Sequence, residues 1–214
     1  MFTLEETREF LPRKGITEEH IVTDIVTLSG RLPLLVATLA SEKPSAIDEI
    51  RDPSSTAVEY FLKQIDNFDR RRIAVDAALP RRLNRDVLAA ITSEQDADNN
   101  FAWLSKMPFF QAESLTYHSV VRTQLIRHKH RQSPQSWFSI HEKLASYFGD
   151  LLGSSLKEPS ERWRDSVWQA QKLELLYHQL CSRPHNQLAI IGEGFVTALM
   201  INMAVAKQWA ETIQ

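Results

Sequence analysis

The side chains of this chain best suited to bind a metal or move a proton are seven histidines and one cysteine. They are His20, His118, His128, His130, His141, His178, His185 and Cys181. A single cysteine excludes an intrachain disulfide and a cysteine-based zinc site. His128 and His130 are two residues apart, so on a helix their rings diverge and cannot chelate one ion together. His141 and Glu142 lie in "IHEKL", which lacks the second histidine of an H-E-x-x-H metal helix. Cys181 lies three residues after His178, a spacing that could activate a thiolate. The competing reading is a half-buried helical cysteine, and it is the favoured one.

Phosphate chemistry has a different signature. A nucleotide loop needs closely spaced glycines so that backbone N–H groups can approach the phosphates. The six glycines stand at 15, 30, 149, 153, 192 and 194, and there is no G-x-x-x-x-G-K-[ST]. No G-x-S-x-G is present to start serine hydrolase chemistry either. The chain by itself therefore lacks the parts for ATP hydrolysis and is expected not to be an enzyme. Two groups remain that could meet a phosphate. One is His118, in "YHSVVRTQLIRHKH", where a ring N–H beside a helix N-terminus could donate to an anion. Its bland alternative is a core or cap residue. The other is a basic cluster comprising Arg70–Arg72, Arg81, Arg82, Arg85, Arg122, Arg127, Lys129 and Arg131. Its bland alternative is a solvated face with cations at a helix C-terminus.

The elements that must position these groups are helices. The 214 residues are 43% hydrophobic and 24% charged, which suits a folded chain rather than a disordered one. Charge is uneven. Residues 1–69 carry −6, residues 70–131 carry +5 and residues 132–214 carry −1, although the whole is only −2. The pattern predicts a mainly α protein in three parts: a helical lid-like subdomain at 1–68, a winged helix–turn–helix with a small β-hairpin at 69–132, and a helical, repeat-like region at 133–214. In the first part Thr17 is expected to cap a helix with Ile21, Val22, Ile25, Val26 and Leu28 on one face. Pro33 starts the next helix, and a third runs through "DPSSTAVEYFLKQI". In the second part Asn84 caps a helix, "DADNNFAWLSKM" forms a short one, and extended runs at Phe109–Gln111 and Leu115–Tyr117 flank Ala112, Glu113 and Ser114. In the third part Ser133 and Pro134 open a helix with a buried stripe of Trp137, Ile140, Leu144 and Tyr147. An antiparallel pair, "ERWRDSVWQAQKLELLYHQLC" and "QLAIIGEGFVTALMINMAVAKQWAETI", then closes the chain.

The order of these pieces resembles the STAND-class (NB-ARC-like) P-loop ATPases, in their C-terminal part only. "LSGRLPLLVATLA" is similar to the family's G-x-P segment, and "YHSVVRTQLI" to its winged-helix M-H-D-like motif. "FAWLSKMPFF" and "SPQSWFSIHEKLASYF" resemble the flanking segments of bacterial members, whose helical (TPR-like) repeats "WQAQKLELLYHQL" resembles. The resemblance implies that Leu32 and Pro33 line an adenine pocket and that His118 senses the β-phosphate of ADP or ATP. Such a nucleotide could be held only with a nucleotide-binding core supplied from elsewhere. The chain departs from the pattern at Arg31, where the motif has glycine, and at Ser119, where it has an acid. The family's P-loop would lie upstream of residue 1, so the chain is expected to be either a fragment or a degenerate member that kept the regulatory half.

Three functions follow. The first is a regulatory module of a nucleotide-switched signalling ATPase. The second is a winged-helix transcription regulator holding DNA through Arg122, Arg127 and Arg131. The third is a helical scaffold that binds protein partners or itself. "NNFAWLSKM", which would be the recognition helix, weighs against DNA because it is aromatic and carries a single lysine. The acidic start has no signal-peptide core, and the apolar stretch Leu188 to Ala206 contains Glu193 and Asn202. A cytoplasmic location without membrane insertion is expected.

Overall fold

The computed structural model describes residues 2–31, 33–42, 62, 65–183, 188–201 and 203–213. The protein is mainly helical with one two-stranded antiparallel sheet. It divides into two compact units, Met1–Ala78 with Trp103–His128, and Leu79–Ala102 with Lys129–Gln214.

The first unit begins with α1 (Leu4–Arg13), α2 (Glu19–Ser29) and α3 (Pro33–Glu42). Thr3 and Glu6 form a reciprocal capping box at the start of α1. Leu11, Ile16, Ile21, Val22, Ile25, Val36, Leu39 and Ala40 form one core between these helices, with Phe2, Phe10 and Val26 against it. Each buried Leu or Ile contributes ~1.5–3 kcal/mol relative to exposure. The cap of α2 is Glu18 rather than Thr17, and it makes no side-chain cap bond. Gly30 ends α2 in the left-handed conformation, with φ 53°. The expected third helix lies outside the described residues except for Leu62 and Ile65, both buried.

Further along, α4 (Phe68–Asp76) is capped by Asn67. The sheet pairs β1 (Phe110–Gln111) with β2 (Thr116–Tyr117), with Phe110 opposite Tyr117 and Gln111 opposite Thr116. Leu115 does not extend the second strand as expected. Its φ of 55° places it in the left-handed region, where it closes the turn. α7 (Ser119–Gln132) then begins in this unit.

The second unit contains α5 (Arg85–Ile91), capped by Asn84 as predicted, and most of α6 (Glu94–Leu104). Arg85 ties the two together by ion pairs to Glu94 and Asp98. The longest helix is α8 (Pro134–Gly153). Its buried stripe is Trp137, Ile140, His141, Leu144, Phe148 and Leu152. Tyr147 is only half-buried, because Phe148 lies closer than Tyr147 to the line through Leu144 at about 100° per residue. A short α9 (Pro159–Arg162) precedes α10 (Ser166–Ser182), whose cap is Asp165.

The apolar end of the chain is not one helix. It forms α11 (Leu188–Ile201) and α12 (Met203–Ile213), which pack on each other. Trp209 of α12 lies against Gly194 of α11, and its indole N–H donates to the Ile191 carbonyl at 3.2 Å. Glycine permits that approach, since a Cβ at position 194 would stand 2.2 Å from the indole. Division into 14 and 11 residues leaves, among the described residues, no helix long and apolar enough to cross a membrane. The stretch is also only partly buried. Ala198, Val205 and Ala206 are inside, whereas Val196, Leu199, Met200 and Met203 are exposed.

Candidate functional site

His118 is held by its neighbours in the chain. Tyr117 is buried between Phe109 and Phe110, with ring centroids 4.9 and 5.9 Å away, and its hydroxyl donates to the Ala74 carbonyl at 3.0 Å. Burial, and then the charge of Asp76, pushes the Tyr117 phenol well above its ordinary pKa, so it stays a neutral donor. The His118 N–H donates to the Phe109 carbonyl at 2.7 Å, and the His118 carbonyl accepts the N–H of Arg122 at 2.9 Å. His118 thus stands immediately before α7, at the positive end of that helix.

The ring is 8% exposed, and its Nδ1 is buried without a hydrogen-bond partner among the described residues. Burial lowers its pKa, so the imidazole is neutral at pH 7. The wall beside it is the turn after α2. A Cβ at Gly30 would lie 2.9 Å from His118 Cε1, 3.7 Å from its Nε2 and 3.0 Å from Val120 Cγ2. Glycine is needed there twice, once for that contact and once for its left-handed backbone.

The two stretches singled out in the sequence therefore meet through Gly30. Pro33 is exposed at the first position of α3, and Leu32 lies outside the described residues. Between Gly30 and Pro33, Arg31 has φ 61°, a second consecutive left-handed residue. The Arg31 N–H takes the Ser29 hydroxyl as acceptor at 3.1 Å, and its carbonyl accepts from the Phe2 N–H at 3.0 Å. A side chain in that region costs ~1–2 kcal/mol that glycine avoids, less its greater unfolded-state entropy. Arg31→Gly should therefore raise stability by roughly 0.5–1 kcal/mol. A thermal melt would read this as an upward shift of about 1–4 °C.

The basic residues of the cluster belong to both units. At about 100° per residue, Arg122 and Arg127 of the first unit stand about 140° apart around α7. Lys129 is buried and donates to the Ser136 hydroxyl at 2.7 Å. In the first unit, Arg70 lies over Trp103 at 5.4 Å and Arg71 donates to the Ile65 carbonyl at 2.9 Å. In the second, Arg81 pairs with Glu174 at 2.8 Å. Several of these cations hold the protein's own groups.

The Cys181–His178 spacing serves another purpose. The His178 ring is occupied by His141, with the two Nδ1 atoms 2.8 Å apart, and lies beside Glu174. Trp137 donates its indole N–H to the Cys181 carbonyl at 3.3 Å. The histidine pair is separated by 37 residues, so no local spacing reveals it. The one sequence signal was that His141 falls within the apolar stripe of α8. Among the described residues, no group of three or more His, Cys, Asp or Glu side chains could hold a metal ion. No family model, curated protein or solved structure matches this chain.

Proposed function

We propose that this chain is the regulatory part of a nucleotide-switched signalling ATPase of the STAND (NB-ARC-like) type. The observation that carries the reading is the contact of the His118 ring with the Gly30 turn. It joins the two segments that would face the nucleotide. The order of α4, α5 and α6 followed by β1 and β2 supports a winged-helix reading of the middle of the chain. A phosphate beside His118 would accept a ring N–H and lie at the positive end of α7. Nucleotide exchange in a separate P-loop domain would then change one contact. That bias is sufficient to shift a two-state equilibrium if the two nucleotides interact differently with His118.

The full chain can be titrated with inorganic phosphate and with ADP while the His118 ring signals are followed by NMR. Without the nucleotide-binding core little binding is expected, with Kd of roughly 1 mM or weaker, about −4 kcal/mol at most. Binding should tighten as pH falls from 8 to 6. The free ring has a depressed pKa and an adjacent anion favours its charged form, so binding takes up a proton. His118→Phe should abolish the response. Micromolar ATP binding or ATP turnover by this chain alone would overturn the proposal.

A further inference from the structure

In the second unit, His141 of α8 and His178 of α10 are both fully buried, with their Nδ1 atoms 2.8 Å apart. A contact this short between ring nitrogens requires one N–H and one lone pair. Two imidazolium rings would aim hydrogens at each other. The contact therefore fits a pair carrying two ring protons or three, and excludes four.

The surroundings set the order. His178 Nε2 lies 3.6 Å from Glu174 Oε2, so its proton faces a carboxylate. In the neutral pair His141 Nδ1–H then donates to His178 Nδ1. A third proton enters at His141 Nε2, the Nδ1 proton passes to His178, and the bond survives with its direction reversed. A fourth proton has no place without separating the rings.

Around the pair, α10 supplies Glu174 and Tyr177, α8 supplies Trp137 and Phe148, and the segment before α5 supplies Arg81. Phe148 is stacked on His178 with centroids 5.8 Å apart. His130 at the end of α7 reaches the pair only through the Trp137 ring, 5.1 Å away. Asp86 of α5 acts on Tyr147 of α8, and Glu142 of α8 is paired with Arg183. Glu174 is also paired with Arg81 at 2.8 Å.

We propose that His141 and His178 form a proton latch between α8 and α10, which stays closed with one added proton and is opened by the second. The latch makes this helix pair acid-sensitive. The opened chain binds two added protons and the closed one only one. Below about pH 6.5, the ordinary histidine value, the closed state therefore loses about tenfold in its equilibrium constant per pH unit.

The test is urea unfolding of the full chain from pH 8 to pH 5, comparing the wild type, His141→Asn, His178→Asn and the double variant. The latch predicts that His141→Asn, which leaves His178 facing Glu174 and able to charge in the folded state, removes about one proton of uptake on unfolding, a tenfold-per-pH-unit change in slope. Removing the second histidine then changes nothing further. If each substitution removes one proton independently, or if neither changes the slope, the latch is wrong. Should the variants fail to fold, ring-nitrogen NMR of the wild type decides. At most three ring protons on the pair at pH 5 in the folded state is the expected result, and two imidazolium rings would overturn it.

Discussion

Trp209→Ala is expected to cost ~3–5 kcal/mol, the range for removing a buried aromatic ring. Its side chain is 1% exposed, and it is surrounded by Leu173, Leu176, Trp163, Leu180, Ile191 and Phe195. Truncation would also leave the Ile191 carbonyl without its indole donor and open a space against Gly194. For a chain of this length each kcal/mol is worth about 2–4 °C, so the thermal midpoint should fall by roughly 6–20 °C. Trp209→Phe keeps most of the ring area and should lose about half as much or less. A Trp209→Ala melt within about 2 °C of the wild type would mean that α12 does not depend on this contact.

The second large effect is at Arg81. Its guanidinium holds the Glu174 carboxylate through Nε at 2.8 Å, donates to the Thr212 hydroxyl at 3.0 Å and lies over Tyr177 at 5.3 Å. Glu174 is nearly buried. Burial alone would raise its pKa, but the His178 ring 3.6 Å away and the charge of Arg81 outweigh that and hold it below the ordinary carboxylate value. Arg81→Met strands this carboxylate. Removing one partner of a fully buried pair costs ~3–5 kcal/mol, and the partial exposure of Arg81 reduces this to roughly 2–3 kcal/mol. The double variant Arg81→Met/Glu174→Gln should recover more than half of the loss, because no unpaired charge remains. Urea midpoints of the four chains give the coupling directly. The pH dependence provides a second reading. A depressed carboxylate pKa gives stability that is present above about pH 4.5 and lost as pH falls through the folded-state value. That acid-side loss should be smaller in the Arg81→Met chain, and equal losses in both would refute the pairing.

Both predictions concern contacts that span many residues, and this is where sequence reading stops. Helical class was legible because caps and apolar spacing are local. Asn84 caps α5, Pro33 opens α3 and Gly30 closes α2, each for a backbone reason carried within a few residues. Boundaries were less legible where the cap residue makes no side-chain bond, as Glu18, and not the better capping residue Thr17, begins α2. The stripe of α8 was legible up to Leu144, but Tyr147 and Phe148 differ by one position and only the surrounding packing chooses between them. Leu115 could not be placed from its type, because closure of the hairpin, not propensity, sets its left-handed backbone.

By itself, the sequence determined the helical class, the breaks that separate most of the helices, and the absence of a P-loop or a cysteine-based metal site. These depend on residue type and short spacing. Tertiary structure decided that Gly30 meets His118, that His141 meets His178, that Arg81 guards Glu174, and that Trp209 turns an apolar run back on itself. Each joins residues 15 or more positions apart in the chain. The physical cause is the same in each case. Burial removes water as the competing partner, so a ring or a charge must find its match wherever packing places one.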